Sequence, residues 1–255
     1  MKRFLLGMAA VALVAVPLHA DVTVKATQSG KMMMTSGNGQ VITYIKGLKM
    51  RTEMQIGNDV IVSILDLDAQ KSIMLNTKKR EAEVYDIQKI AADLQKSVGT
   101  AEATMSFKAN GQTKQIAGEN CSGYDITISM PTQMEGMTIT MGGPAWIAKG
   151  AAGGADFAAF FKAAASKGFF FSDPQQAKAQ PAQAKGMAEM YRAIAETGGV
   201  LYAQELNMSF EGGPMAGMMN KMGAMNIATT VTSVSTEALA DDLFKVPADY
   251  KVKTK

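Results

Sequence analysis

The stretch Val41–Asn76, VITYIKGLKMRTEMQIGNDVIVSILDLDAQKSIMLN, decides the fold. From Leu48 to Ile56 the residues alternate strictly. Leu48, Met50, Thr52, Met54 and Ile56 point one way, and Lys49, Arg51, Glu53 and Gln55 the other. A period of two belongs to a strand with one apolar and one polar face. Gly57-Asn58-Asp59 turns the chain into Val60–Leu65, and residues 66–70 turn it again into Lys71–Asn76. Turns this close together join neighbouring antiparallel strands, so the stretch predicts a meander with one face wet. It holds no obvious catalytic group.

Outward from there the pattern repeats. Upstream, Val22, Val24 and Ala26 alternate with Thr23, Lys25 and Thr27, and Ser36-Gly37-Asn38-Gly39 leads into Val41–Lys46. Downstream, Glu81–Tyr85 reads as a strand, after which the period changes. Ile87, Ile90, Ala91, Leu94 and Val98 recur at helical spacing until Gly99, which predicts a helix over residues 86–98. Thr104–Ala109, Gly123–Met130 and Met137–Met141 return to strand character, with turns expected at Asn110-Gly111 and near Pro131. Gly142-Gly143-Pro144, Gly153-Gly154 and Gly212-Gly213-Pro214 read as turns, without the motif of a phosphate loop.

An Ala/Gln-rich insertion at about residues 150–197 carries two further helices. Phe157, Phe160, Phe161 and Ala164 form one stripe, and Met187, Met190, Tyr191 and Ile194 another. Strands over Val200–Phe210 and Ile227–Val234 flank a Gly/Met-rich link. About ten strands with two or three helices predict a mainly β (α+β) fold. Its form would be a large curved antiparallel sheet, an incomplete β-barrel, covered by the helices.

The opening residues bear on location. Met1-Lys2-Arg3 is basic, Phe4–Val16 is an uncharged, mostly apolar run of 13 residues, and Pro17-Leu18-His19-Ala20 offers a cleavage site. This order is that of a secretory signal peptide, residues 1–20, and the run is too short to span a membrane. Asp21 follows rather than Cys, which closes the route of N-terminal lipoprotein acylation. Cleavage leaves residues 21–255 as a single periplasmic or secreted β-domain, with no later run long enough for a transmembrane segment.

Removing Lys2 and Arg3 leaves 24 basic against 23 acidic residues, a net charge of +1. That balance gives no general pull on nucleic acid. Cleavage also removes His19, the only histidine, and leaves one cysteine, Cys121. Ser-His-Asp and Cys-His catalysis are excluded, as are zinc sites built on His or several Cys. No cofactor and no enzymatic activity are predicted. Cys121 has no partner for an internal disulfide and reads as a buried small hydrophobe.

The segments IKGLKMRTEM, ILDLDAQKSIMLN, KQIAGENCSGYDI and AWIAKG, and the ending TSVSTEALADDLFKVPADYK, resemble an exported bacterial family, domain of unknown function 4412. That family is similar to the periplasmic lipoprotein-carrier fold of LolA and LolB. The resemblance runs from about residue 24 to 252. It implies an incomplete antiparallel barrel whose apolar concave face is capped by helices and holds an acyl chain or similar ligand. It implies no catalytic residues. The insertion around 150–190 and the methionine load depart from the family pattern.

The candidate ligand-binding residues are Leu48, Met50, Met54 and Ile64 on the sheet. A movable lid would bear Phe157, Phe160, Phe161, Met187 and Met190. The expected partner is a lipid, an acyl chain or a lipidated protein segment. An alternative reads the methionines as soft Cu(I) ligands. Met215, Met218, Met219, Met222 and Met225 lie at spacings of three and four, and Met130, Met134, Met137 and Met141 form a second group. A third reading is an envelope adaptor or structural protein whose sheet contacts another protein.

Overall fold

The computed structural model describes residues 21–32, 35–98, 103–132, 134–167, 174–175, 181–221 and 225–255. Residues 1–20, read from the sequence as a signal peptide, and Met222 of the methionine group lie outside the described residues. The strands in chain order are β1 (Val22–Met32), β2 (Thr35–Lys46), β3 (Lys49–Ile56), β4 (Asp59–Asp66), β5 (Lys71–Asn76) and β6 (Glu81–Asp86). After helix α1 (Ile87–Val98) come β7 (Thr104–Ile116), β8 (Glu119–Pro131) and β9 (Thr138–Lys149). Helices α2 (Gly154–Ser166) and α3 (Pro181–Glu196) lead to β10 (Gly199–Glu211), then α4 (Ala216–Lys221), β11 (Met225–Ser235) and β12 (Lys251–Thr254).

These strands form one sheet in the order β12-β6-β5-β4-β3-β2-β1-β11-β10-β9-β8-β7. Every pairing is antiparallel except the last edge, where β12 runs parallel to β6. The outermost strands β7 and β12 are not paired with each other, so the sheet is open. The meander β2–β6 follows the turns read from Val41–Asn76. Leu48 sits in the β2–β3 turn rather than in the strand, where its carbonyl accepts the Leu67 N–H at 3.0 Å.

Two expected turns are interior to strands. Asn110-Gly111 is a bulge in β7, where the register shifts between Ala109 and Thr113. The Asn110 side chain takes up the slack: it accepts the Gln112 N–H at 3.0 Å and donates to Asp125 at 3.0 Å. Gly142-Gly143-Pro144 lies within β9. A Cβ on Gly143 would stand 1.9 Å from the Glu205 carbonyl oxygen, so the close approach of β9 and β10 requires glycine there.

Register assigns each side chain a face, because residues opposed across a ladder point the same way. Val22, Ile45, Met50, Leu65, Ser72 and Tyr85 form one row across β1–β6. All but Met50 are buried, and the apolar members of the row pack with α1 and α2. This is the inner face. One residue along, Tyr44, Arg51, Ile64, Ile73 and Val84 form a row on the outer face.

The outer face was expected to be wet, and over β4–β6 it is not. Val62, Ile64, Ile73, Leu75 and Ala82 are buried there beneath Phe244, with Leu239, Leu243, Val246 and Tyr250 around it. The C-terminal segment is therefore a strap across the outer face. Lys46 donates to the Leu239 carbonyl at 2.6 Å, Arg51 to the Leu243 carbonyl at 3.0 Å, and the Leu239 N–H to Asp21 at 2.6 Å. Lys46 also pairs with Asp241 at 2.8 Å, which holds the Asp241 carboxyl below the usual carboxylate range. Strand β12 then adds to the sheet edge beside β6, with Lys253 donating to Glu81 at 2.7 Å.

Truncating Phe244 to Ala should cost about 3–5 kcal/mol, read from urea unfolding, and should free the strap to proteolysis before the sheet unfolds. Asp241 and Glu81 have lowered pKa values from their lysine partners. Their contribution is present above the ordinary carboxylate pKa and is lost as pH falls through the lowered one. The hydrogen-exchange protection factors of residues 239–254, corrected for the intrinsic rate, should fall on acidification, and Asp241→Asn should flatten that dependence.

Candidate ligand-binding site

Three helices cover parts of the inner face, each for a sequence reason. In α2 the residues Phe157, Phe160, Phe161 and Ala164 recur at one turn and are all buried. They pack on the inner row of β1–β4. The Lys167 ammonium, just past the helix, donates to the Leu67 carbonyl at 2.9 Å and fixes its end over the β4–β5 turn. In α3, Met190 and Ile194 are fully buried against Ile126, Ile128, Ala145 and Ile147. Gly186 lets this helix lie close, since a Cβ there would stand 2.7 Å from Ile128 Cγ2. Phe161 stacks on Tyr191 with centroids 5.3 Å apart, which couples α2 to α3. The short α4, unforeseen in the sequence, is clamped by Asn220, whose side chain exchanges two hydrogen bonds with the Phe210 backbone at 2.9 and 2.7 Å.

Between these covered areas the inner face continues. One row runs Val231, Ala26, Val41, Met54, Ile61. It grades from buried Val231 and Ala26 through half-buried Val41 and Met54 to Ile61, which is 45% exposed. Beside it runs a polar row, Gln204, Thr229, Gln28, and beyond that the apolar pair Leu206 and Ile227. This strip of the inner face, termed the trough, is apolar along its sides, polar along one line, and exposed at Ile61 on β4. On the outer face behind it, Thr27, Ser29, Asn38, Gln40 and Gln55 line a polar cleft of about 520 Å³ together with Gln28, Gly39 and Gly57.

The sequence-predicted residues distribute unequally. Leu48, Met50, Phe157, Phe160 and Phe161 meet in one cluster under α2. Met187 and Met190 belong to the adjoining cluster under α3. Met54 lies in the half-exposed row just beyond the α2 roof. Ile64 is fully buried on the outer face beneath the strap, away from all of these; β4 is buried on both faces, and strand alternation puts Ile64 opposite Leu65. The missed residue is Gln204. Its signal was a lone amide among Leu206, Met208 and Phe210, the period-two apolar positions of β10.

The methionine groups also separate. Met215 and Met218 are exposed, whereas Met219 and Met225 pack with Met137, Met208 and Phe210 beside α4. Met130 and Met141 join the α3 cluster, and Met134 is exposed. Among the described residues no group of three or more His, Cys, Asp and Glu is placed to hold a metal.

The electrostatics are those of structural pairs. Glu83 is held below the usual range chiefly by the Tyr85 hydroxyl, which donates to it at 2.6 Å. Gln175, between α2 and α3, donates to both Glu83 and Tyr85 at 3.1 and 2.8 Å and so ties the roof to β6. Burial pushes the Cys121 thiol up, away from thiolate chemistry. Burial likewise raises Tyr191. Among the described residues, each carboxylate with a resolved shift is lowered, so none of these is held neutral as a general acid would be.

Comparison with the curated proteins gives no match. Among solved structures, the chain is similar to one of PNGF-II at 12% identity and a TM-score of 0.35, covering 92% of this chain and 31% of that one. It is similar to a putative outer membrane lipoprotein-sorting protein domain from Vibrio parahaemolyticus at 7% identity and a TM-score of 0.30, covering 89% and 90%. A LolA superfamily protein from Nitrosomonas europaea matches at 6% identity and a TM-score of 0.29, covering 89% and 91%. With TM-scores this low, the architecture rests on the strand order and register described above. The sequence profile of domain of unknown function 4412 matches residues 29–189, more than half of the chain, and the protein belongs to that family.

Proposed function

We propose that this protein is a non-enzymatic carrier or binding protein for a hydrophobic ligand, held on the inner face of the sheet beneath a helical roof. The carrying observation is the row Val231–Ala26–Val41–Met54–Ile61, which leads from the buried interior out to solvent past the edge of α2. Apolar ligand surface buried there gains roughly 25 cal/mol per Å². An acyl chain covering about 300 Å² would gain roughly 7 kcal/mol before the cost of immobilising it.

The roof is built to move as a unit. Phe161 stacked on Tyr191 joins α2 to α3, and Lys167 bonded to Leu67 and Gln175 bonded to Glu83 and Tyr85 are the latches that would have to open. Lifting the pair would expose Met50 and Leu65 beside the phenylalanines, extending the trough into the interior. The basic-then-apolar opening of the chain supports export, and with it a periplasmic or secreted location.

Organic extraction and mass spectrometry of the purified protein should release a lipid or acyl compound. The emptied protein should bind a neutral fluorescent acyl probe such as a labelled monoacylglycerol. Protein that carries nothing and binds nothing contradicts the reading. Met54→Asp, at a half-exposed position, should weaken binding about tenfold or more while leaving the circular dichroism spectrum unchanged, since a carboxylate in an apolar contact must be desolvated. Lys167→Ala combined with Gln175→Ala should speed ligand exchange in stopped-flow fluorescence without loss of fold.

A further inference from the structure

We propose that Gln204, with Thr229 and Gln28 beside it, forms a polar subsite in the trough that accepts an N–H or O–H from an uncharged head of the apolar ligand. This rests on the carrier reading above and names the class of ligand: a long-chain alcohol, primary amide or acylglycerol rather than a fatty-acid anion or a hydrocarbon.

Register places the three side chains. Gln204 opposes Ala145 on one side and Thr229 on the other, and Thr229 opposes Gln28. Ala145 is fully buried in the cluster under α3, and Ala26, two residues before Gln28, lies in the cluster under α2. The Ala145 end of the row therefore faces α3, and the Gln28 end lies on the same side of β1 as Ala26. Leu206 and Ile227 flank it on one side and Val231 and Ala26 on the other.

Gln204 Oε1 is buried and has no hydrogen-bond partner, the only side-chain nitrogen or oxygen among the described residues in that state. An amide oxygen removed from water without a partner costs more than a typical made hydrogen bond returns, so such atoms are scarce in folded proteins and call for a donor. A purely structural position in an apolar row would be served by Leu at no such cost. The oxygen accepts only, so the ligand must donate. A carboxylate has no proton to donate, so a fatty-acid anion cannot satisfy this oxygen, whereas a neutral hydroxyl or amide can. The head is therefore neutral, and the flanking apolar rows take its chain.

The test is displacement of diphenylhexatriene, a neutral fluorescent hydrocarbon, from delipidated full-length protein by dodecanol and by dodecyl methyl ether, which share a chain and differ in the donor. Wild type should be displaced by the alcohol at about one-tenth the concentration needed for the ether, about 1.4 kcal/mol of preference. Gln204→Leu should bind the ether as wild type does and lose the preference for the alcohol. Its thermal midpoint should equal or exceed that of wild type. Equal displacement by alcohol and ether in wild type, a preference surviving in Gln204→Leu, or a lowered midpoint in that variant overturns the subsite while leaving the carrier reading standing. Wild-type protein that binds neither the probe nor either competitor overturns both.

Discussion

The structure depends on burying both faces of one stretch of sheet at once. Strand β4 carries Val62, Ser63, Ile64 and Leu65 in succession, all buried, so its neighbours must be covered from two sides. On the inner side the cover is α2 with its phenylalanines; on the outer side it is the C-terminal strap with Phe244. An open sheet of this width has no second sheet to pack against, and its faces would otherwise lie bare. The two covers differ in kind. The strap is stitched by backbone-directed hydrogen bonds, ion pairs and an added strand. The helical roof rests on apolar side-chain contacts, with Lys167 and Gln175 supplying polar ties to the meander.

That asymmetry is where function enters. A cover bound through many directional hydrogen bonds resists displacement, whereas one resting on apolar contacts can exchange them for contacts with an apolar ligand at little net cost. On the proposed reading the inner face is the side on which a ligand competes, and the outer face is the side that holds the sheet in shape while it does. The half-exposed residues Val41, Met54 and Ile61 lie at the border between roof and solvent, where such an exchange would begin. Near the roof the Cys121 thiol is pushed up by burial, and Glu83 is engaged by Tyr85 and Gln175.

Much of this was legible in the sequence because period two and period three-to-four survive in single strands and helices. The hairpins of β2–β6, helix α1 and the stripes of α2 and α3 all follow from such local patterns. What was not legible depended on contacts distant in the chain. Ile64 looked like a neighbour of Met50 and Met54, yet the unbroken apolar run of β4 means two buried faces, and only the packing of Phe244 shows which one Ile64 serves. Pro144 read as a turn because proline lacks a ladder donor, but an extended proline is accommodated in β9 beside Gly143. Helix α4 is too short to leave a periodic signature and is held by Asn220. Gln204 was visible as a polar residue in an apolar series, but its lack of a partner is a fact of the folded state.

The most direct measurement of the account is residue-resolved hydrogen exchange of the emptied full-length protein, with and without a saturating acyl ligand. The account predicts that ligand slows exchange in α2 and α3 and along the rim of β2–β4, and leaves the strap over residues 239–250 unchanged. Protection that falls instead on the strap or on the outer polar cleft, with the roof indifferent to ligand, would contradict it.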